Sequence, residues 1–160
     1  MNKKGLSDFL EAYNFIEDIS GKNIVNIIKT TEIIRHVYDE LFSKYGISEP
    51  KFRVLLILSI EEDGMALCDI GKRMLVTRAN MTGLVDRMVK EGLVEKKVNP
   101  EDKRSIKAYL TPKGIDLFES VKDKHIEFSE KMTRSLSEEE KKQLSHLLQK
   151  LQRGIVDSFE

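Results

Sequence analysis

The stretch LCDIGKRMLVTRANMTGLVDRMVKEGLVEKKVNPEDKRSIKAYL, residues 67–110, decides the fold. Its apolar residues recur at helical spacing, pause at a short link around Val76, and recur again over residues 78–90. Thr77 is the expected N-cap of the second helix, and Gly92 is its expected stop. After Gly92 the apolar and polar residues alternate, as they do in strands. The stretch therefore predicts two helices joined by a tight turn and followed by a β-hairpin.

The two predicted helices each have one apolar face. In the first, the expected buried residues are Leu67, Ile70, Met74 and Leu75. In the second, they are Met81, Leu84, Val85, Met88 and Val89. The opposite face of the second helix is short or polar, and such side chains can approach base edges in a major groove. We expect DNA contacts at Arg78, Asn80, Thr82, Gly83 and Arg87. An ordinary solvated helix face is the alternative interpretation.

The hairpin has a charged tip. LVEKKV and IKAYL predict the two strands, and NPEDKRS between them is a cluster of turn residues. Thr111 and Pro112 are then expected to cap and begin another helix. Two short strands with a basic tip, directly after a helix suited to a major groove, predict a wing. The fold class is therefore mainly α with a small β-hairpin wing, a winged helix-turn-helix.

The wing resembles that of the MarR family of bacterial transcriptional regulators. The family's Asp-x-Arg-Ala/Ser step is matched by residues 102–105, and its Leu-Thr-x-x-Gly ending by residues 110–114. The resemblance implies that Arg104 enters a minor groove and that Asp102 holds the geometry of the wing. Arginine is also the side chain favoured in a narrow, negatively charged minor groove. Other expected DNA contacts on the wing are Lys96, Lys97, Lys103 and Ser105.

The charge distribution agrees with a nucleic-acid partner. The formal net charge of the 160 residues is zero, but from Lys72 to Lys107 ten basic residues stand against five acidic ones. A local basic surplus is more informative about nucleic-acid binding than the net charge. The alternative is that the charges are unevenly spread by chance. We expect double-stranded DNA with a pseudo-palindromic operator as the partner.

The chain termini predict long helices. Apolar stripes indicate helices over Leu6–Ile19, with a break at Gly21, and over Asn23–Tyr45. Further stripes indicate helices from Pro112 to Arg134 and after a Ser137–Glu140 capping box. The resemblance implies that these terminal helices join two copies into a homodimer; intrachain packing is the alternative. We assign 1–46 and 112–160 to a helical dimerisation region and 47–111 to the DNA-binding region, within one compact unit.

The resemblance further implies a repressor that is released by a small aromatic or lipophilic effector. In the family, such effectors bind between the dimerisation helices and the DNA-binding lobe. The residues of this chain that we expect to line such a pocket are Tyr13, Phe15, His36, Tyr38, Phe42 and Phe52. Simple core packing is the alternative for all six.

Other classes of function have weaker support. His36, His125 and His146 lack a neighbouring Cys or His at metal-ligand spacing, and Cys68 is the only cysteine. We therefore predict no metal site and no cofactor, with a metal- or redox-responsive regulator as an alternative. No catalytic motif is present, so an enzyme is not expected. Without a signal peptide or membrane span, a cytoplasmic protein is expected. A winged-helix module that binds protein is the other alternative.

Overall fold

The computed structural model describes residues 3–11, 16–99 and 102–159 of the chain. In these ranges the backbone forms seven helices and three short strands. The helices are α1 (Lys3–Glu11), α2 (Ile19–Ser43), α3 (Glu49–Leu58), α4 (Leu67–Met74), α5 (Arg78–Lys90), α6 (Pro112–Thr133) and α7 (Glu138–Asp157). The strands are β1 (Met65–Ala66), β2 (Val94–Val98) and β3 (Ile106–Leu110). The predicted mainly helical fold with a β-hairpin is confirmed.

The N-terminal helices differ from the predicted ones. α1 ends at Glu11 and α2 begins at Ile19, so Gly21 lies in the first turn of α2. The carboxylate of Asp18 accepts a hydrogen bond from the Gly21 N–H at 2.6 Å and caps this turn. The prediction that Gly21 separates the two helices was wrong, because the Asp18 cap offsets the low helix propensity of glycine.

The three strands form one antiparallel sheet in the order β1-β3-β2. β2 and β3 pair along their whole length, from Val94 opposite Leu110 to Val98 opposite Ile106. β1 pairs with the other edge of β3, with Met65 opposite Ala108. The sequence analysis did not predict β1, because two residues are too short to show the alternation of a strand. The central strand β3 thus connects the hairpin to the chain that enters α4.

The chain divides into two compact units, residues 1–118 and residues 119–160. In the first unit, apolar side chains from α2 to α5 and from the sheet are buried together. The most deeply buried are Phe42, Phe52, Val54, Leu55, Ile70, Met81, Val85, Met88, Val94 and Ala108. This core holds α4, α5 and the hairpin against one another, as a winged helix requires.

The second unit contains the end of α6 and all of α7. α7 begins with the predicted capping box: the Ser137 N–H donates to Glu140 Oε2 at 2.7 Å, and the Glu140 N–H donates to Ser137 Oγ at 3.3 Å. The hydrogen bonds that the Ser137 N–H and the Ser137 hydroxyl donate to the Glu140 carboxylate lower the pKa of that carboxyl. Large apolar side chains of this helix are exposed: Leu144, Leu147, Leu151, Ile155, Val156 and the following Phe159.

Candidate nucleic-acid interface

α5 presents the polar face that the sequence predicted. Met81, Leu84, Val85 and Met88 are buried, which fixes the rotation of the helix about its axis. Five residues of α5 away from the buried face are exposed: Arg78, Ala79, Asn80, Arg87 and Lys90. Thr82 and Gly83 are half-buried, and the Thr82 hydroxyl donates to the Arg78 carbonyl at 2.9 Å. The Thr77 hydroxyl accepts from the Asn80 N–H at 3.3 Å, so the predicted N-cap is confirmed.

The turn between α4 and α5 differs from the prediction at Leu75. We expected Leu75 on the buried face of the first helix, but that helix ends at Met74 and Leu75 is exposed. The backbone of Leu75 is left-handed, with φ 53° and ψ 42°, and its N–H donates to carbonyls of the preceding turn. A residue in this conformation ends the helical periodicity, so the side chain leaves the apolar stripe. The prediction for Leu75 was therefore wrong.

The C-terminal end of α5 is anchored by the segments that surround it. The Lys51 ammonium of α3 contacts both carboxylate oxygens of Glu91 at 2.6 Å. The Lys113 ammonium donates to the Glu91 carbonyl at 2.8 Å, and the Thr111 hydroxyl donates to the Gly92 carbonyl at 2.6 Å. Gly92 has φ +72° and ends the helix as predicted. The bonds from Lys113 and Thr111 occupy carbonyls at the helix end that lack intrahelical partners, and with the Lys51–Glu91 pair they fix the direction of α5.

The tip of the wing is an organised turn. The Ser105 N–H donates to the Asp102 carbonyl at 2.8 Å, and the Asn99 N–H donates to the Ser105 carbonyl at 2.9 Å. Asp102 Oδ1 accepts from the backbone N–H of Arg104 at 3.0 Å and from its Nε at 3.2 Å. The Arg104 side chain is nonetheless 94% exposed. The carboxylate therefore holds the backbone of the turn while the guanidinium extends into solvent.

The predicted wing lysines have partners within the protein. Lys96 Nζ lies 2.5 Å from Asp86 Oδ1, which joins the wing to α5. Lys97 Nζ lies 2.5 Å from Glu95 Oε1 and 4.9 Å from the centre of the Tyr109 ring. The hydrogen bond that the Lys97 ammonium donates to the Glu95 carboxylate raises the pKa of Lys97. Lys103, in contrast, is exposed at the tip of the wing.

A depression of about 380 Å³ lies between α5 and the wing. It brings together five of the ten predicted DNA contacts: Arg78, Thr82, Lys96, Arg104 and Ser105. The others, which do not line it, are Asn80, Gly83, Arg87, Lys97 and Lys103. Leu67, Cys68 and Ile106 add lining that the sequence analysis did not assign to this surface. Their placement depends on how the start of α4 meets the hairpin, which local sequence patterns do not specify.

Cys68 is exposed beside charged groups. It contributes a hydrogen bond to Asp69, but the larger effect on that carboxyl is the hydrogen bond from Lys72, which lowers the pKa of Asp69. Lys72 Nζ and Asp69 Oδ1 are 2.9 Å apart. On α2, His36 lies 3.3 Å from Glu40, whereas Glu32 pairs with Arg35 at 2.9 Å. The described residues contain no group of three or more side chains that could hold a metal ion.

The residues predicted to line an effector pocket fall into three groups. Tyr13 and Phe15 lie outside the described residues. His36 and Tyr38 are half-buried, while Phe42 and Phe52 are buried. Tyr38, Phe42, Phe52 and Phe118 form a series of stacked rings, with successive centres 5.4, 4.8 and 5.8 Å apart. The buried rings contribute to the core, and the pocket itself stays a prediction.

No helix in the described ranges is both long and apolar enough to cross a membrane.

Comparison with known proteins agrees with this geometry. The MarR family model matches residues 47–106. The HTH-type transcriptional repressor YetL of Bacillus subtilis strain 168 is 29% identical over 153 residues, which cover 92% of each chain. The uncharacterized HTH-type transcriptional regulator YsmB of the same bacterium is 32% identical over 120 residues, 75% of this chain and 82% of YsmB.

A solved structure shares the fold. The S. aureus MepR–DNA complex matches with a TM-score of 0.74 and 22% identity, over 82% of this chain and 94% of the MepR chain. The similarity extends beyond the helix-turn-helix to the flanking helices, because so much of both chains is covered. This likeness shows the fold, and the relatives at 29% and 32% identity establish the class of protein. The chain therefore belongs to the MarR family, whose members are DNA-binding transcriptional regulators and not enzymes.

Proposed function

We propose that the chain is a cytoplasmic, dimeric repressor that reads a pseudo-palindromic operator with α5 in the major groove and the wing in the minor groove. The observation that carries this proposal is the wing turn, in which Asp102 holds the backbone and the Nε of Arg104 while the Arg104 side chain remains 94% exposed. A cation on an ordered turn is suited to a narrow minor groove, where the negative potential is strong. The protein-binding alternative has no comparable support.

The roles of the remaining contacts follow from their position. Asn80 and Arg87 are exposed on α5 and carry hydrogen-bonding groups for base edges or phosphates. Gly83 and Thr82 are small enough for the helix to approach the groove closely. Lys96, Lys97, Lys103 and Ser105 are assigned to the sugar–phosphate backbone, where they would fix the register of the protein on the duplex.

The first test is to select binding sites from a random-sequence DNA library and to measure affinity at two salt concentrations. We expect a partly palindromic site whose affinity falls steeply as salt rises, because bound phosphates release counterions. Arg104→Ala should weaken binding to that site by about 1–3 kcal/mol. Lys131→Ala, which removes an exposed cation of α6, is the matched control and should leave affinity unchanged.

Two outcomes separate the alternatives. If Arg104→Ala binds as tightly as Lys131→Ala, the proposed role of Arg104 in the minor groove is wrong. If the selection yields no preferred sequence and binding is weak even at low salt, the protein-binding interpretation replaces the proposal. Circular dichroism of both variants establishes that a loss of affinity does not come from unfolding.

The dimer is proposed from the exposed face of α7. Its apolar side chains at helical spacing would be covered by a second copy, since large contiguous apolar patches are rarely left in water. A twofold dimer also suits DNA, because it places two recognition helices about one helical turn apart. Leu147→Glu combined with Leu151→Glu should give a monomer in sedimentation velocity and abolish operator binding. Gln149→Glu on the same helix is the control, and a dimer surviving the double change would contradict the proposal.

Release by a small effector is proposed from the aromatic residues of α2 and α3. Tyr38 and His36 are half-buried and combine a ring with a polar group, which suits an aromatic acid. The proposal predicts that aromatic or lipophilic anions raise the melting temperature and release operator DNA in a fluorescence anisotropy assay. Replacing Tyr38 with Ala should remove both responses while preserving DNA binding. A panel of such anions that changes neither observable would refute the effector proposal alone.

A further inference from the structure

Leu75 has a backbone conformation that suits other residues better. Its φ of 53° and ψ of 42° are left-handed, and among the described residues it is the only one other than glycine with a positive φ. Glycine avoids the steric cost of this conformation, and asparagine reduces it through local hydrogen bonds. Leucine does neither. The backbone therefore gives no reason for leucine at this position.

The side chain of Leu75 gains no burial in compensation. It is 94% exposed, more than any other large apolar side chain in the described part of the chain. Leu75 combines a strained backbone with an apolar side chain in water, and both features are unfavourable. Residues with strained backbones cluster at functional sites. Nothing in the described part of the chain compensates for this combination, which makes Leu75 a candidate contact for a binding partner.

The surroundings of Leu75 indicate what that contact is. Leu75 lines an open depression of about 500 Å³ together with Lys72, Val76, Thr77 and Arg78. Arg78 also lines the depression between α5 and the wing, so the two surfaces are continuous. An apolar side chain between two cations matches a DNA backbone, in which phosphates alternate with apolar sugar surfaces. At the edge of the major groove the thymine methyl group offers a further apolar contact.

We infer that Leu75 is an apolar DNA contact, held outward by the left-handed turn between α4 and α5. Lys72 and Arg78 bind the flanking phosphates, and Leu75 packs against a deoxyribose or a thymine methyl group between them. The inference rests on the proposed DNA-binding surface and adds to it a contact that hydrogen-bonding chemistry alone would not identify.

The test uses Leu75→Asn and Leu75→Gly in the full-length protein. Both residues accept the left-handed backbone, so the melting temperature should stay the same or rise. Affinity for the duplex selected by the wild-type protein should nevertheless fall by about three- to tenfold, as expected for the loss of part of a leucine's apolar contact. Ile60→Asn, which removes another highly exposed apolar side chain outside this depression, should not change affinity.

A second experiment distinguishes a thymine methyl group from a deoxyribose as the group that Leu75 contacts. Single thymines of the selected duplex are replaced by deoxyuridine, which removes only the 5-methyl group. If one replacement weakens the wild-type protein but not Leu75→Asn, Leu75 reads a thymine. If Leu75→Asn weakens binding equally on every duplex, Leu75 contacts a sugar. Either result supports the inference.

If both Leu75 variants bind DNA as tightly as the wild type, the inference is wrong, and Leu75 is a candidate contact for a protein partner instead. Arg78→Ala in the same assay separates this failure from failure of the proposed function. If Arg78→Ala and Arg104→Ala weaken binding and the Leu75 variants do not, only the inference about Leu75 fails. If none of these variants changes affinity, the proposed DNA-binding surface itself is wrong.

Discussion

Replacing Gly114 with alanine should destabilise the fold at the junction between α5, the wing and α6. A Cβ atom at this position would lie 2.0 Å from the Leu93 carbonyl oxygen and 3.0 Å from its carbonyl carbon. The first distance is roughly 1.4 Å short of ordinary contact at 3.4 Å. Because the obstructing atom belongs to the backbone, a rotamer change cannot relieve the overlap.

The loss of folding stability follows from the backbone atoms that must move to admit the methyl group. Overpacking of this kind costs about 1–3 kcal/mol. Displacing residues 92 and 93 also disturbs the hydrogen bonds from Thr111, 2.6 Å to the Gly92 carbonyl and 3.2 Å to the Leu93 carbonyl. Each half-buried bond that is lost adds about 1 kcal/mol. We expect a total near 3 kcal/mol, which corresponds to a fall in melting temperature of about 6–12 °C for a chain of this size.

Thermal unfolding followed by circular dichroism measures this change. Gly83→Ala is the matched control, because its Cβ would meet only Arg87 Nη1 at an ordinary 3.7 Å. Alanine in the interior of α5 should leave the melting temperature unchanged or raise it, since alanine has the higher helix propensity. If the two variants melt within 2 °C of each other, roughly the shift for 1 kcal/mol, the argument from the Leu93 carbonyl is refuted.

Two further predictions concern the same protein at other sites. Gly83→Ala should weaken operator binding about tenfold or more despite its stability, because the added methyl group holds α5 away from the groove and one lost base contact costs 1–3 kcal/mol; equal affinity in fluorescence anisotropy would argue against close approach at Gly83. Glu140→Ala should lower the melting temperature at pH 7. The folded-state pKa of Glu140 is depressed, so its contribution exists above the ordinary value of 4.5 and is lost as the pH falls through the folded-state pKa. The difference from wild type should therefore shrink in melts recorded below pH 4.5, and a difference independent of pH would contradict the assignment.

The parts of the fold that could be predicted are those governed by local signals. The Thr77 cap, the Gly92 stop and the Ser137–Glu140 box each depend on one or two side chains bonding to nearby backbone. The apolar face of α5 was equally predictable, because its spacing repeats over three turns. For these elements the sequence pattern and the tertiary packing favour the same structure.

The errors arose where two local signals competed. Gly21 appeared to break a helix, but Asp18 begins α2 at that point and the glycine lies inside its first turn. Leu75 continued an apolar stripe, but its own left-handed backbone ends the helix, whose last residue is Met74. The spacing of apolar residues indicates which side chains can be buried, but it carries no information on backbone conformation. The predicted end of a helix can therefore be wrong by one residue.

The residues proposed for the candidate site could be chosen from the sequence, but their arrangement around one depression could not. Arg78 and Arg104 could be selected by chemistry, since both are cations next to expected groove contacts. Their presence around one depression depends on how β3 and the start of α4 meet, which is a long-range property of the chain. The Lys96–Asp86 ion pair also depends on long-range packing, because no local sequence pattern predicts that these two residues are in contact.

The way in which α5 is supported has a consequence for how such a regulator diverges. The helix is held by its buried face, by the Thr77 cap at one end and by Lys51, Thr111 and Lys113 at the other. None of these supports uses a side chain at the exposed positions of α5, since the Thr77 cap bonds only to the Asn80 backbone N–H. Mutations there should carry little folding penalty. Under the proposed function, a duplicated gene could therefore acquire a new operator by changing Asn80 or Arg87 without compensating substitutions elsewhere.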